Sequence, residues 1–141
     1  MKLSTRSRYG TRLMLDLAKF HERAPIPLAE IAKRQKLSVK YLEQLIIPLK
    51  ASGLIESVRG ARGGYRLARS PARITVGRVI EVLEGDLCLV DCVNDPKACK
   101  LRVHCLTRPI WQGVSRLIKE HLSSLTLQDV LEGKQRPARA R

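Results

Sequence analysis

Over residues 5–68 the apolar positions follow a helical period and then a strand period, in an order that few folds can use. Residues 5–21 predict a helix, because Tyr9, Leu13 and Leu17 lie four apart with Met14 and Ala18 on the same face. Pro25-Ile26-Pro27 ends a linker and opens a short second helix over residues 28–35, with Leu28, Ile31 and Ala32 inward. Lys36-Leu37 is a tight turn. Ser38 suits the cap of a third helix, since its side-chain oxygen can accept from the unpaired N–H groups of the first turn. Leu42, Leu45, Ile46 and Leu49 follow at i, i+3, i+4, i+7, and Gly53 supplies a left-handed stop. Pro48 lies inside this pattern and donates no backbone hydrogen bond, which predicts a kink or a weakened last turn. Two strands follow at residues 54–58 and 65–68, joined by the basic, glycine-rich tip Arg59-Gly60-Ala61-Arg62-Gly63-Gly64. Helix, short helix, tight turn, helix and hairpin is the order of a winged helix-turn-helix. The predicted class is mainly α with a small β-hairpin wing, followed by a long C-terminal dimerisation helix.

Thr75 is expected to cap a helix over residues 76–83, with Val76, Val79, Ile80 and Leu83 inward. Thr107 is expected to cap the long helix, with Pro109 in its first turn. Ile110, Val114, Leu117, Ile118, Leu122 and Leu125 form one stripe of about 24 Å along it. That is too long to be spent on a small core alone. A self-complementary two-fold interface is its natural use, and it would set two DNA half-sites one helical turn apart. Thr126 to Asp129 reads as a capping box for a last short helix. The chain therefore divides into a winged-helix DNA-binding domain (1–83), a cysteine cluster-binding loop (84–106), a dimerisation helix with a short terminal helix (107–132) and a disordered basic tail (133–141).

Charge points to the partner. The net charge is +14, with 15 Lys/Arg against 5 Asp/Glu in residues 1–70 and 12 against 8 in residues 71–141. Such an excess suits a polyanion, and its location makes the first half the nucleic-acid half. No apolar stretch approaches the roughly 20 residues of a membrane span, and residues 13–18, interrupted by Asp16, are too short for a signal peptide. A cytoplasmic protein is expected, with double-stranded promoter DNA and a second copy of itself as partners and no membrane. The outward face of the third helix offers Ser38, Lys40, Tyr41, Glu43 and Gln44. Gln can pair with adenine, Glu can accept from cytosine, and Lys can reach guanine or phosphate. Arg59 and Arg62 at the wing tip suit a narrow minor groove. The competing reading of these residues is an ordinary solvated face. No P-loop, dinucleotide fingerprint or catalytic triad is present, so no enzyme is expected.

All four cysteines fall within eighteen residues, as Cys88-x3-Cys92-x6-Cys99-x5-Cys105. Clustered thiolates hold iron–sulfur centres or zinc, and the spacing lacks the paired C-x2-C knuckles of zinc ribbons. Lys97, Lys100 and Arg102 favour the thiolate form. Idle reduced thiols and a metal-free redox switch are the alternatives.

The stretches RYG-x3-MLDLA, PIPLAEIAKRQKLS, YLEQL, SGLIESVRG and GGYRLA resemble the IscR/NsrR family of iron–sulfur winged-helix transcription regulators. The resemblance continues through ITVGRVIEVLEG, the cysteines and CLTRPIW. It implies a homodimer with the third helix in the major groove and the wing in the minor groove. It places base or groove contacts on Tyr41, Glu43, Gln44 and Arg59. A long cation, Lys40, stands where the family's iron–sulfur assembly regulators carry a small polar residue. The resemblance also implies a regulator that senses iron–sulfur, redox or nitric oxide status. It maps the family's three cluster cysteines onto Cys92, Cys99 and Cys105. The assembly regulators add a histidine three residues later, where this chain has Arg108. Other relatives take an acidic residue from the partner's first helix, where this chain has Arg6-Ser7-Arg8. Cys88 is then the expected fourth ligand, with His104 as runner-up, and His21 and His121 carry no assigned chemistry. The expected cofactor is an iron–sulfur cluster, of 2Fe–2S rather than 4Fe–4S type. The remaining alternatives are a cluster-free member controlled by thiol oxidation or a protein partner, and an electron-transfer protein.

Overall fold

The computed structural model describes residues 2–134. Six helices surround one core: α1 (Thr5–Lys19), α2 (Leu28–Gln35), α3 (Val39–Ala51), α4 (Val76–Glu84), α5 (Arg108–Ser124) and α6 (Leu127–Leu131). A hairpin of β1 (Ile55–Val58) and β2 (Gly64–Leu67) stands between α3 and α4. The expected class, a winged helix-turn-helix with a long C-terminal helix, is the one observed. The first helix stops two residues short of the expected end, and a 3-10 turn (His21–Arg23) takes over. Of the predicted tail, residues 135–141 lie outside the described residues.

The core forms from the stripes that the periodicity marks. Leu13, Met14 and Leu17 of α1, Ile31 of α2, and Leu42, Leu45 and Leu49 of α3 are all at most 1% exposed. Val79 of α4 and Leu127 of α6 join them, so the last described helix packs into the same core as the first. Ser38 caps α3 as expected, accepting from the Tyr41 N–H at 3.1 Å. Lys36 takes the left-handed conformation (φ 55°) at the end of α2. The Leu37 N–H then reaches back to the Ala32 carbonyl at 3.1 Å, which makes the turn tight. Pro48 does not break α3, which runs through it to Ala51. The proline forfeits only one bond, the one to the carbonyl four residues earlier.

One polar node ties α1 to α2. Asp16 on α1 is buried, and Arg34 on α2 grips it with two bonds, Nε to Oδ2 at 3.1 Å and Nη2 to Oδ1 at 2.7 Å. Gln35 donates a third at 2.8 Å. The same guanidinium lies 4.2 Å from the Phe20 ring centroid. At the far side of α1, Glu84 accepts from the Ser4 N–H, the Ser4 hydroxyl and the Ser7 hydroxyl. The Ser4 and Ser7 hydroxyls hold its carboxyl below the usual range.

The hairpin is antiparallel, with Ile55 opposite Leu67 and Val58 opposite Gly64. Ile26 adds a bridge on its other edge, exchanging two backbone bonds with Tyr65 at 2.8 and 2.9 Å. Gly64 permits this approach, since a Cβ there would collide with the Ile26 backbone. The α4–α5 contact uses the same device: a Cβ on Gly77 would meet the Ser123 nitrogen at 2.8 Å.

A candidate nucleic-acid interface and the cysteine loop

The α3 surface opposite the Leu42–Leu45–Leu49 stripe carries Lys40, Glu43, Gln44 and Ile47, all exposed. Lys40, Gln44 and Ile47 stand at i, i+4 and i+7 and form one ridge. Ser38 is exposed at the start of α3, with its oxygen engaged as the cap. Tyr41 departs from the expected outward group. Its ring packs edge-on against Tyr9, with centroids 6.0 Å apart and planes at 88°, and its hydroxyl is buried without a hydrogen-bond partner. Its place on the helix turns it toward α1. Arg8 and Arg12 stack near that Tyr9 ring, at 5.9 and 5.2 Å from its centroid. Arg12 also donates to Gln35 at the end of α2, through Nε at 3.0 Å and Nη2 at 2.7 Å. It is therefore partly structural. Arg59 and Arg62 project from the wing tip, exposed and, among the described residues, paired with no carboxylate. Arg66, one strand down, is neutralised by Glu56 at 3.0 Å. Within the hairpin, the cations without a carboxylate partner among the described residues are thus at the tip.

The cysteine loop joins α4 to α5. All four thiols are half-buried and none forms a disulfide. Cys88 lines a groove of about 540 Å³ against α5, with Asp86, Asn94, Ser115, Arg116 and Lys119. Burial, helped by the Asp86 charge, pushes its thiol above the ordinary value. Cys105 sits at the other end, with Sγ 3.3 Å from the Thr107 hydroxyl. That hydroxyl, helped by the Thr107 and Arg108 N–H groups, holds the Cys105 thiol below its ordinary value. Thr107 was expected to cap α5 with its side chain. Its hydroxyl caps nothing and faces the cysteine instead.

Four thiols on one short loop suit an iron–sulfur centre chemically, but the fold does not preassemble them. Among the described residues no three Cys, His, Asp or Glu side chains converge on a point that could hold a metal. Two contacts that the sequence did not suggest hold the loop as it stands. Arg108 Nε donates to the Cys92 carbonyl at 3.3 Å, and Nη2 donates to the Val93 carbonyl at 3.2 Å. Ser115, buried on α5, accepts from the Leu89 N–H at 3.2 Å. His104 is exposed.

The expected dimer stripe on α5 divides. Leu122 and Leu125 pack against the core, and Val76 donates to the Leu125 carbonyl at 2.8 Å. Ile110, Val114 and Leu117 stay exposed, joined by Trp111. No described helix is long and apolar enough to cross a membrane.

Comparison with known proteins converges on the same kind of molecule. Residues 3–133 match the model of the Rrf2 family, described as an iron-dependent transcriptional regulator. Protein rrf2 of Nitratidesulfovibrio vulgaris is 44% identical over 93% of this chain and 87% of its own length. The HTH-type transcriptional regulator CymR of Bacillus subtilis is 43% identical, over 92% and 89%. The structure of IscR from T. potens superimposes with a TM-score of 0.77 at 42% identity, covering 100% of this chain and 93% of that one. Both the family description and the CymR name are those of a transcription regulator. The chain belongs to the Rrf2 family of DNA-binding transcription regulators.

Proposed function

We propose that this chain is a cytoplasmic homodimer that lays α3 in the major groove and its wing in the adjacent minor groove of promoter DNA. Its DNA binding is modulated by an iron–sulfur cluster. The observation that carries the DNA-binding half is the outward set of Lys40, Glu43 and Gln44 beside the unpaired Arg59 and Arg62. All lie in the half of the chain that holds most of the positive charge. The Ile110, Val114 and Leu117 face supports the dimer, since it finds no cover within the protomer. Cys92, Cys99 and Cys105 are the proposed ligands, with Cys88 as the fourth and a 2Fe–2S centre as the cluster. The cluster would supply the loop with a metal-dependent order. Metal binding can itself order the loop that carries its ligands, so dispersed thiols are compatible with this reading. It requires the Arg108 tether to Cys92 and Val93 to yield.

A second reading is a cluster-free regulator controlled by thiol oxidation or a protein partner. The relatives include both CymR and IscR, so the family alone does not choose between the two.

The wing and ridge assignments have separate signatures. Each phosphate neutralised steepens the slope of log K against log salt by about −0.9. Arg59→Ala weakens binding at every salt concentration and relaxes preference for A·T pairs under the wing. Gln44→Ala relaxes preference at one base position per half-site, by about 1–3 kcal/mol. Filter binding to a set of promoter duplexes at several salt concentrations reads both. Unchanged affinity in Arg59→Ala removes the wing from the interface, and a uniform loss in Gln44→Ala moves that side chain to the backbone.

A further inference from the structure

Ile47 is the most exposed large apolar residue of α3, at 67%, and it sits in the middle of the outward ridge rather than at its margin. Lone exposed apolar residues are common on protein surfaces and need no explanation by themselves. Ile47 differs because its neighbours on the ridge are Lys40 and Gln44, the residues placed to read base edges. Lys40 lies two helical turns away, about 10 Å along the axis, or about three base steps of duplex. A solvated helix face at this place would carry Glu, Lys or Gln, which form helix better than a β-branched chain.

We infer that Ile47 is a specificity residue that packs against the C5-methyl group of one thymine per half-site. The major groove shows that methyl only at A·T pairs, and an apolar side chain recognises it. The stiff β-branched side chain loses little rotamer freedom on contact, and the positive charge around it holds the duplex close. This inference rests on the reading of α3 as the groove-entering helix.

The test uses the full chain and a duplex that it selects from a randomised pool. Each thymine of one half-site is replaced singly by deoxyuridine, which deletes the methyl and keeps every hydrogen bond. At one position the wild-type chain loses about three- to fivefold in affinity, the worth of one buried methyl. Ile47→Ala binds the two duplexes equally there, while Gln44→Ala keeps the difference. Because Ile47 packs on nothing in the protomer core, the variant folds, and its thermal melt checks this. The inference is overturned if no thymine is methyl-sensitive, if Ile47→Ala preserves the difference, or if it weakens all duplexes alike. A pool that yields no enriched sequence overturns the groove reading itself, and the inference with it.

Discussion

Leu117→Asp sediments as a monomer, and its affinity for a two-half-site duplex falls by about a hundredfold or more. Leu117 is 54% exposed in the protomer and lies on the same uncovered α5 face as Ile110 and Val114. Across a two-fold axis each substitution counts twice, and a carboxylate facing apolar surface without a partner is costly. Loss of the second half-site then removes an effective-concentration gain of 10² to 10⁴. An exposed position does not unfold the protomer, so an unchanged melt with a halved sedimentation mass is the expected pair of results. Ile118→Asp, at a half-buried position beside it, also splits the dimer. A dimer that survives both substitutions places the interface elsewhere.

The second large effect is on stability. Arg34→Ala lowers the free energy of unfolding by about 3 kcal/mol, because it strands the Asp16 carboxylate in the α1–α2 interface. The Asp16 side chain is 3% exposed and the Arg34 side chain 28%. The loss therefore stays at the low end for a broken buried pair, and the bond from Gln35 remains. For a domain of this size that is a fall in melting temperature of about 10 °C. Arg34→Lys keeps the charge but loses the two-pronged grip, and falls in between. A loss under about 1 kcal/mol in Arg34→Ala means that water reaches Asp16. The node then contributes little to the packing of α1 on α2.

Local signals made the first half of this fold readable. Apolar spacing, the Ser38 cap and the glycine-rich tip each act within a few residues, and each element formed close to where they placed it. The departures came from tertiary contacts, which no local pattern encodes. Tyr41 was placed with Lys40 and Gln44 on the outward face of the third helix, yet its ring packs against Tyr9. Thr107 had the composition of a cap, but its hydroxyl faces the Cys105 sulfur instead. The α5 stripe was continuous in sequence, and only packing against α4 could show that Leu122 and Leu125 belong to the core. Ile47 was passed over because it breaks the polar pattern of its face. That break was the available signal. The cysteine loop has no periodicity, so its spacing specified donor chemistry and left their placement open.

The proposed iron–sulfur centre in the Cys88–Cys105 loop would couple metal status to this DNA-reading surface. The direct measurement is iron and acid-labile sulfide in anaerobically purified chain, beside DNA affinity before and after removal of the metal. The expected result is a coloured protein with about two irons and two sulfides per protomer, ligated by thiolates. Its DNA affinity changes when the metal is stripped, and it loses its iron in Cys92→Ala, Cys99→Ala and Cys105→Ala. Cys88→Ala also loses the iron, whereas His104→Ala keeps it. A colourless, iron-free protein with the same DNA affinity before and after chelation contradicts the account.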